Sequence, residues 1–244
     1  MIKSVLVETF FFFRITEQNL KEFFIYLTMS SWLRLFVSVI LWFILYLALK
    51  LIFKNKSSEW CNRIVTLVHS LVVCRLVEYS IWTDNPLYHV GGPNTQHEEN
   101  SLVFSCSYFI FDTAWCLYMG SEGPLMIVHH LIGVFMLPLS LISNSSAAEI
   151  VLALWGGELT NPFLQYRYYL KFYNKENGRI AFLNNLAFAV AFVFIRVGFF
   201  TVLCFYFVTS PNTSIIIKLF GVAFYLVGLA WSYKIIGFVK RKLF

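Results

Sequence analysis

Two adjacent histidines give this sequence its clearest chemical signal. His129 and His130 lie inside the apolar stretch Pro124–Ile142, where a neutral imidazole can act as a nucleophile or as a general base. Adjacent side chains point about 100° apart on a helix, so the pair cannot chelate a metal as histidines four residues apart would. We predict a site without metal, in which one ring faces a cavity. The alternative, that both rings only pack and bond backbone carbonyls, stays open.

A carboxylate precedes this pair in an equally apolar setting. Asp112 ends the run Tyr-Phe-Ile-Phe-Asp within the stretch Leu102–Met119. A carboxylate among apolar residues must find a cation, a hydrogen-bond donor or a proton. It could orient an imidazole as the carboxylate of a catalytic triad does. The predicted catalytic residues are therefore His129, His130 and Asp112.

A polar stripe follows farther along the chain. Glu158, Asn161 and Gln165 are spaced by three and four residues, so they share one face of a helix. Pro162 interrupts the backbone hydrogen bonding within the same stretch. The stripe and the proline together predict the wall of a ligand cavity. Hydrogen bonding between helices that only fixes the bundle is the alternative.

Four residues with charged or imidazole side chains, Arg63, His69, Arg75 and Glu78, lie in the stretch Trp60–Trp82, and Arg63, Thr66 and His69 follow at steps of three on one helix side. Arg75 and Glu78 are spaced by three residues, which favours a structural ion pair between them. His69 has no acidic residue three or four positions away in the sequence. It is either a hydrogen-bonded core histidine or a fourth member of the cavity wall, and we include it among the predicted cavity residues.

A single arginine interrupts the long apolar stretch near the end of the chain. Arg196 lies in the middle of Ile180–Val208, and a charge at such a place is expensive unless it is paired or hydrated. We predict that it lines the cavity and pairs with Asp112 or Glu158.

The composition indicates that lipid surrounds these polar residues. Of the 244 residues, 59% are hydrophobic and 13% are charged, whereas soluble domains have about 45–50% apolar and about 25% charged residues. The Lys and Arg side chains lie in short segments between apolar runs, so the net charge of +6 is interpreted as a membrane-orientation signal and not as a nucleic-acid surface. The five cysteines have no metal-ligand spacing and are interpreted as reduced packing residues. No cofactor is expected.

Seven stretches are long and apolar enough to cross a bilayer, which takes about 20 residues. They are Trp32–Phe53, Trp60–Trp82, Leu102–Met119, Pro124–Ile142, Ala147–Leu170, Ile180–Val208 and Ile215–Val239. The predicted fold class is an all-α integral membrane protein with about seven transmembrane helices. Residues 1–31 mix apolar clusters with charges, which predicts an interfacial amphipathic lead-in; a disordered lead-in is the alternative.

Positive charges predict the orientation of the chain. Lys and Arg are concentrated at residues 50–63, 167–179 and 234–242, and they are missing from 84–100, 143–146 and 209–214. The positive-inside rule then places the C-terminus in the cytosol, although Lys3, Arg14 and Lys21 oppose a lumenal N-terminus. The tail Lys240–Phe244 has the K-x-K-x-x pattern of dilysine retrieval signals. We predict coat-protein recognition of this tail and residence in the endoplasmic reticulum or Golgi, with an ordinary basic anchor as the alternative.

Four stretches resemble the TLC (TRAM–LAG–CLN) domain family: SEWCNRIVTLVHS, YFIFDTAWC, GPLMIVHHLIGVF and GGELTNPFLQYRYYL. The resemblance covers Glu59–Lys242. It divides the chain into the lead-in at 1–31, a first transmembrane helix with its cytosolic loop at 32–58, and a TLC domain at 59–244 with six transmembrane helices and a short basic cytosolic tail. It implies a helical bundle or barrel that encloses a lipid-accessible cavity.

The best understood enzymes of this family are ceramide synthases, which are acyl-CoA-dependent N-acyltransferases. The resemblance implies that His129, His130 and Asp112 correspond to their catalytic centre, and that acyl-CoA is a possible substrate. The acid-rich stretch that follows the histidine pair in those enzymes is missing here, where Glu149 is the single early carboxylate of the next stretch. Enzyme status is therefore open.

Three functions are compatible with these observations. The first is a membrane protein that binds lipid or acyl chains in a polar intramembrane cavity and takes part in lipid metabolism or homeostasis. The second is acyl transfer of the ceramide-synthase type by His129 or His130. The third is a cargo-sorting receptor that cycles through the endoplasmic reticulum, which the tail motivates.

Overall fold

Helices account for almost all of the described chain. The computed structural model describes residues 30–243, the last five by their backbone alone, so the lead-in predicted at 1–31 lies outside this range except for its last two residues. The helices are α1 (Ser31–Ile52), α2 (Ser58–Thr83), α3 (Gln96–Met119), α4 (Pro124–Ser143), α5 (Ala147–Glu158), α6 (Asn161–Phe172), α7 (Arg179–Val193), α8 (Phe200–Thr209) and α9 (Ile215–Leu243). A 3-10 turn, Pro86–Tyr88, precedes α3, and a π-helical segment, Phe194–Phe199, joins α7 to α8.

The prediction of an all-α membrane protein is confirmed. Within residues 30–243, six helices are long and apolar enough to span a bilayer: α1, α2, α3, α4, the continuous unit Arg179–Thr209 and the Ile215–Phe238 part of α9. Their outer faces expose large apolar side chains such as Phe36, Leu51, Phe194 and Leu219. A surface of this kind is stable when lipid covers it.

The fifth predicted span, Ala147–Leu170, is two short helices instead of one. Helix α5 ends at Glu158 and α6 begins at Asn161. Pro162 lies in the first turn of α6, and because proline has no N–H it cannot continue the hydrogen-bond ladder of α5. The break leaves Glu158 at one helix end and Asn161 at the next helix start, so the polar stripe lies at the junction of α5 and α6.

Helix α3 is the centre of the bundle and the most deeply buried of the six spans. It packs against α1, α2, α4 and α5, and the side chains of Val65, Leu102, Leu137 and Ile150 are completely buried between these elements. Burial of such side chains stabilises a membrane protein mainly through close packing, since lipid is as apolar as the interior.

The ends of α3 fix the position of α4. A capping box of Thr95 and Glu98 begins α3, in which each residue satisfies a free backbone N–H of the other. Gly120, in the left-handed conformation with φ 58°, ends it. The short loop 121–123 then returns the chain to α4. As a result, α4 runs antiparallel beside α3.

Candidate functional site

One cavity of about 330 Å³ lies among the helices and is lined by side chains from α2, α3, α4, α6, α7 and α9 and from the end of α5. Seven of the eight predicted site residues line it: Asp112, His129, His130, Glu158, Asn161, Gln165 and Arg196. The structure thus brings together polar residues that are up to 84 positions apart in the sequence. A volume of this size falls within the range of about 300–1,000 Å³ that is usual for small-molecule sites.

Asp112 faces His130 across the interface of α3 and α4. Its Oδ2 lies 3.7 Å from His130 Nε2, a separation suited to an ion pair and too long for a direct hydrogen bond. Asn62 Nδ2 donates to the other carboxylate oxygen at 2.7 Å, and Cys116 lies on the same side of the carboxylate, with Sγ 3.9 Å from Oδ2. Both Asp112 and His130 are buried. The carboxylate is therefore held in place while one imidazole nitrogen stays beside it.

The ring of His129 contacts aromatic side chains, whereas the ring of His130 lies beside a carboxylate. It stacks on Phe224 with a centroid distance of 5.3 Å and meets Trp231 edge-on at 5.1 Å. Within the part of the chain that the structure describes, the Nδ1 atoms of both His129 and His130 are buried without a hydrogen-bond partner. Buried polar atoms usually have partners, so these two nitrogens mark places where a bound molecule would find a donor or an acceptor.

The predicted polar stripe is a chain of hydrogen bonds. Gln165 Nε2 donates to Asn161 Oδ1 at 2.7 Å, and Asn161 Nδ2 donates to Glu158 Oε2 at 2.8 Å. Gln165 Oε1 has no partner among the described residues. The amide groups therefore fix the orientation of the Glu158 carboxylate and still present polar atoms to the cavity.

His69 supports the cavity wall and does not line it. It is completely buried, its Nδ1 lies 3.6 Å from Glu158 Oε2, and its Nε2 lies 3.4 Å from Ser105 Oγ. Its ring stacks on Tyr108 at a centroid distance of 3.8 Å. The placement of His69 among the lining residues is thus corrected to the layer behind them, where it holds Glu158.

Arg196 has neither of its predicted partners. No carboxylate among residues 30–238 lies within 4.0 Å of its guanidinium; Nη2 donates to the carbonyl oxygen of Gly157 at 3.2 Å. The guanidinium carbon lies over the rings of Phe192, Phe200 and Phe224 at 4.8–5.6 Å. The predicted contact ion pair is therefore not formed: Glu158 bonds Asn161 and faces His69, and its charge acts on Arg196 only over a longer distance.

Sequence reasoning missed three residues at one end of the cavity. Arg63 pairs with Glu59 and with Glu122, each at 3.1 Å, and Arg167 lines the same end. Glu122 lies in the loop between α3 and α4, where burial raises the pKa of its carboxyl; Arg63 opposes the shift and Asp112 adds to it. Arg63 shares a helix side with Thr66 and His69 by its spacing, a signal that could have placed it at the site. Glu122 gave no comparable periodic signal.

One group of side chains could hold a metal ion. One ligand atom from each of Asp112, Cys116 and His130 lies within 4.8 Å of the others, and an Asp, Cys and His set is compatible with Zn²⁺ chemistry. Asn62 already donates to Asp112, as residues behind a metal ligand commonly do. The cysteine was interpreted as a packing residue, although its spacing of four residues from Asp112 on α3 could have placed the two side chains together; the approach of His130 depends on the helix positions.

Comparisons with known proteins agree with this architecture. The TLC domain model matches residues 59–237, well over half of the chain. TLC domain-containing protein 4-B of Danio rerio is 22% identical over 156 residues, which are 59% of this chain and 56% of that protein. TLC domain-containing protein 4 A of Dictyostelium discoideum is 25% identical over 150 residues, 58% of this chain and 57% of that protein. The chain thus spans just over half the length of these curated relatives. The matched region contains all the helices that surround the cavity, and the chain belongs to the TLC domain family.

Proposed function

We propose that this protein binds a lipid or acyl chain in its intramembrane cavity and takes part in the metabolism or homeostasis of membrane lipids. The observation that supports this most directly is a cavity with a polar centre inside a bundle whose outer face is apolar. A lipid has the matching chemistry, since its head group needs polar partners and its chain needs an apolar wall.

The cavity wall is divided in the way such a ligand requires. Aromatic and aliphatic side chains, among them Phe109, Met126, Phe188 and Trp231, line part of it. The carboxylates, amides and imidazoles described above line the rest. A purely water-filled cavity would have little reason to include four large apolar side chains.

The test is the lipid that remains bound after purification. Mass spectrometry of extracts from the full-length protein should detect a lipid in stoichiometric amount. Leu164→Trp would enlarge a lining side chain and should reduce that amount several-fold. Leu183→Trp, on the exposed face of α7, is the matched control and should retain it. Equal lipid content in the two variants would refute cavity binding.

A second function, acyl transfer, is supported by the position of His130 beside Asp112 and by the resemblance to ceramide synthases. An imidazole nitrogen would attack the carbonyl carbon of acyl-CoA, the C–S bond would break, and the thiolate would leave. An amine would then attack the acyl-imidazole to form an amide, and the amine proton would pass to a basic group and finally to the thiolate. Purified protein that forms no amide from acyl-CoA and amines would exclude this function.

The location of the protein is part of the proposal. The basic segments favour a cytosolic C-terminus, and the tail Lys240–Phe244 favours coat-protein recognition and cycling through the endoplasmic reticulum or Golgi. A role in cargo sorting would require that deletion of this tail changes both residence and export of cargo.

We also propose that the chain resembles TLC domain-containing protein 5, on the basis of its stretches Ser121–His130 and Glu158–Pro162.

A further inference from the structure

Arg196 is a buried cation that has no carboxylate within 4.0 Å among residues 30–238, although the charge of Glu158 acts on it over a longer distance. Only 4% of its surface is exposed, and its Nε has no acceptor among these residues. The residue lies in the π-helical segment between α7 and α8 and lines the cavity. Single π-helical turns inside regular helices occur frequently at functional sites. Here the turn places a guanidinium at the cavity instead of at the lipid face.

The three aromatic rings and one carbonyl compensate only part of this charge. A guanidinium does not lose its proton in a protein, so Arg196 cannot avoid the penalty of burial by becoming neutral. Cation–π contacts are weak stabilising interactions, whereas a buried charge without a contacting counter-ion is costly. An anion in the cavity would offset the difference.

Two carboxylates that line the cavity make their close contacts with residues other than Arg196. Asp112 is held by Asn62 and faces His130. Glu158 is held by Asn161 and faces His69.

The third carboxylate of the lining, in the loop between α3 and α4, also has a partner. Glu122 is paired with Arg63. Arg167 has no carboxylate within 4.0 Å in the described part of the chain and stacks on Phe238, with the guanidinium carbon 5.5 Å from the ring centre. The three arginines that line the cavity thus equal its three carboxylates in number, but the guanidinium of Arg196 has no carboxylate at ion-pair distance in the described part of the chain.

We propose that the cavity selects a lipid with an anionic head group, a carboxylate or a phosphate, whose oxygens are bound by the guanidinium of Arg196. This inference rests on the proposed lipid binding and specifies its ligand class. Guanidinium groups suit both anions because their paired N–H groups match two oxygen atoms at once. A fatty acid and a phosphate-bearing lipid share this chemistry.

The test compares three probes of equal chain length. Full-length protein in phosphatidylcholine nanodiscs is titrated with oleate, oleoyl lysophosphatidate and oleyl alcohol. Because a hydrogen bond to a charged group contributes about 1.5–3 kcal/mol, we expect the protein to bind at least one anion about tenfold or more tighter than the alcohol. Preference for oleate alone identifies a carboxylate ligand, preference for lysophosphatidate alone identifies a phosphate ligand, and preference for both supports the shared chemistry.

Variants of Arg196 test whether this residue causes the preference for anions. Arg196→Gln should remove most of the anion preference and leave the affinity for oleyl alcohol unchanged, whereas Arg196→Lys should retain part of it. Arg75→Gln is the matched control, because Arg75 is 84% exposed in an ion pair on the outside of the bundle. An unaltered preference in folded Arg196→Gln would overturn the inference.

The outcomes also separate this inference from the proposed function. If the wild-type protein binds all three probes equally, lipid binding stands and the anion inference fails, even where Arg196→Gln does not fold. If the wild-type protein binds none of them, both fail.

Discussion

Asp112 of α3 lies beside His130 of α4 and not beside His129, with 3.7 Å between Oδ2 and Nε2. The two adjacent histidines therefore have different partners, since His129 packs between Phe224 and Trp231 of α9. The two rings can therefore have different roles. His130 is the imidazole that a carboxylate can orient, and His129 is the imidazole that an apolar ligand would contact.

If the protein transfers acyl groups, Asp112 and His130 should act as a unit. His130→Ala and Asp112→Asn should each lower the rate of amide formation by at least about 10²-fold, the usual contribution of a positioned acid or base. The double variant should be no slower than His130→Ala, because residues that act through one another are not additive. His97→Ala is the control, since His97 contacts Tyr79 and does not line the cavity. Independent, multiplicative losses would contradict the pairing.

Glu158 should contribute to stability through its buried neighbours. Glu158→Gln removes the charge that faces His69 and accepts from Asn161, and we expect a loss of about 1–3 kcal/mol in the free energy of unfolding. Glu78→Gln is the matched change at a half-buried carboxylate whose partner, Arg75, is 84% exposed, and it should cost less than about 1 kcal/mol. Chemical denaturation in one detergent compares the two. Equal losses would mean that the Glu158 contacts contribute nothing specific.

The close approach of α5 to the π-helical segment should be sensitive to volume. A Cβ at Gly156 would lie 2.7 Å from the ring of Phe200 and 3.1 Å from that of Phe199, and the buried Phe200 ring has little freedom to move. Gly156→Ala should therefore destabilise the protein by about 1–3 kcal/mol. Gly198→Ala, where the added carbon meets nothing within 4 Å, should be neutral or slightly stabilising. A thermal melt in which both variants behave alike would show that this interface is loose.

Glu122 should make stability depend on pH. Its pKa is raised above the ordinary value of 4.5 because burial disfavours the charged form. Between the ordinary and the raised pKa the folded protein holds a proton that the unfolded chain has released, so stability should fall as pH rises through this window. Glu122→Gln cannot titrate, and the difference in melting temperature between wild type and this variant should shrink or reverse across the same window. A difference that stays constant with pH would contradict the shift.

Metal removal tests whether Asp112, Cys116 and His130 act as ligands or as packing and acid–base groups. The proposed function uses no metal, so dialysis against a chelator should leave the lipid content and the melting temperature unchanged, and Cys116→Ser should behave like wild type. A stoichiometric metal ion that is detected by elemental analysis and lost in Asp112→Asn would instead assign a metal centre.

The sequence was sufficient for the helical membrane fold because spans of about 20 apolar residues have few alternatives in lipid. It also identified the polar residues of the cavity, since Asp112, His129 and Arg196 stand out in apolar runs. It did not identify their partners. Asn62 beside Asp112 and Gly157 beside Arg196 come from other helices, and contacts of this kind depend on helix rotation and crossing, which the hydropathy pattern does not specify. Pro162 indicated a break in the fifth span. The sequence did not indicate that the break would produce two short helices instead of one kinked helix.

The most direct test of the account is photocrosslinking of a lipid inside the membrane. A photoactivatable fatty acid or phospholipid is added to full-length protein in nanodiscs, and the labelled residues are identified by mass spectrometry. Saturable labelling of cavity residues such as Met126, Phe188 and Trp231, competed by unlabelled lipid, is the predicted result. Labelling confined to outer residues such as Phe36 and Leu219 would contradict the claim that the cavity is a lipid site.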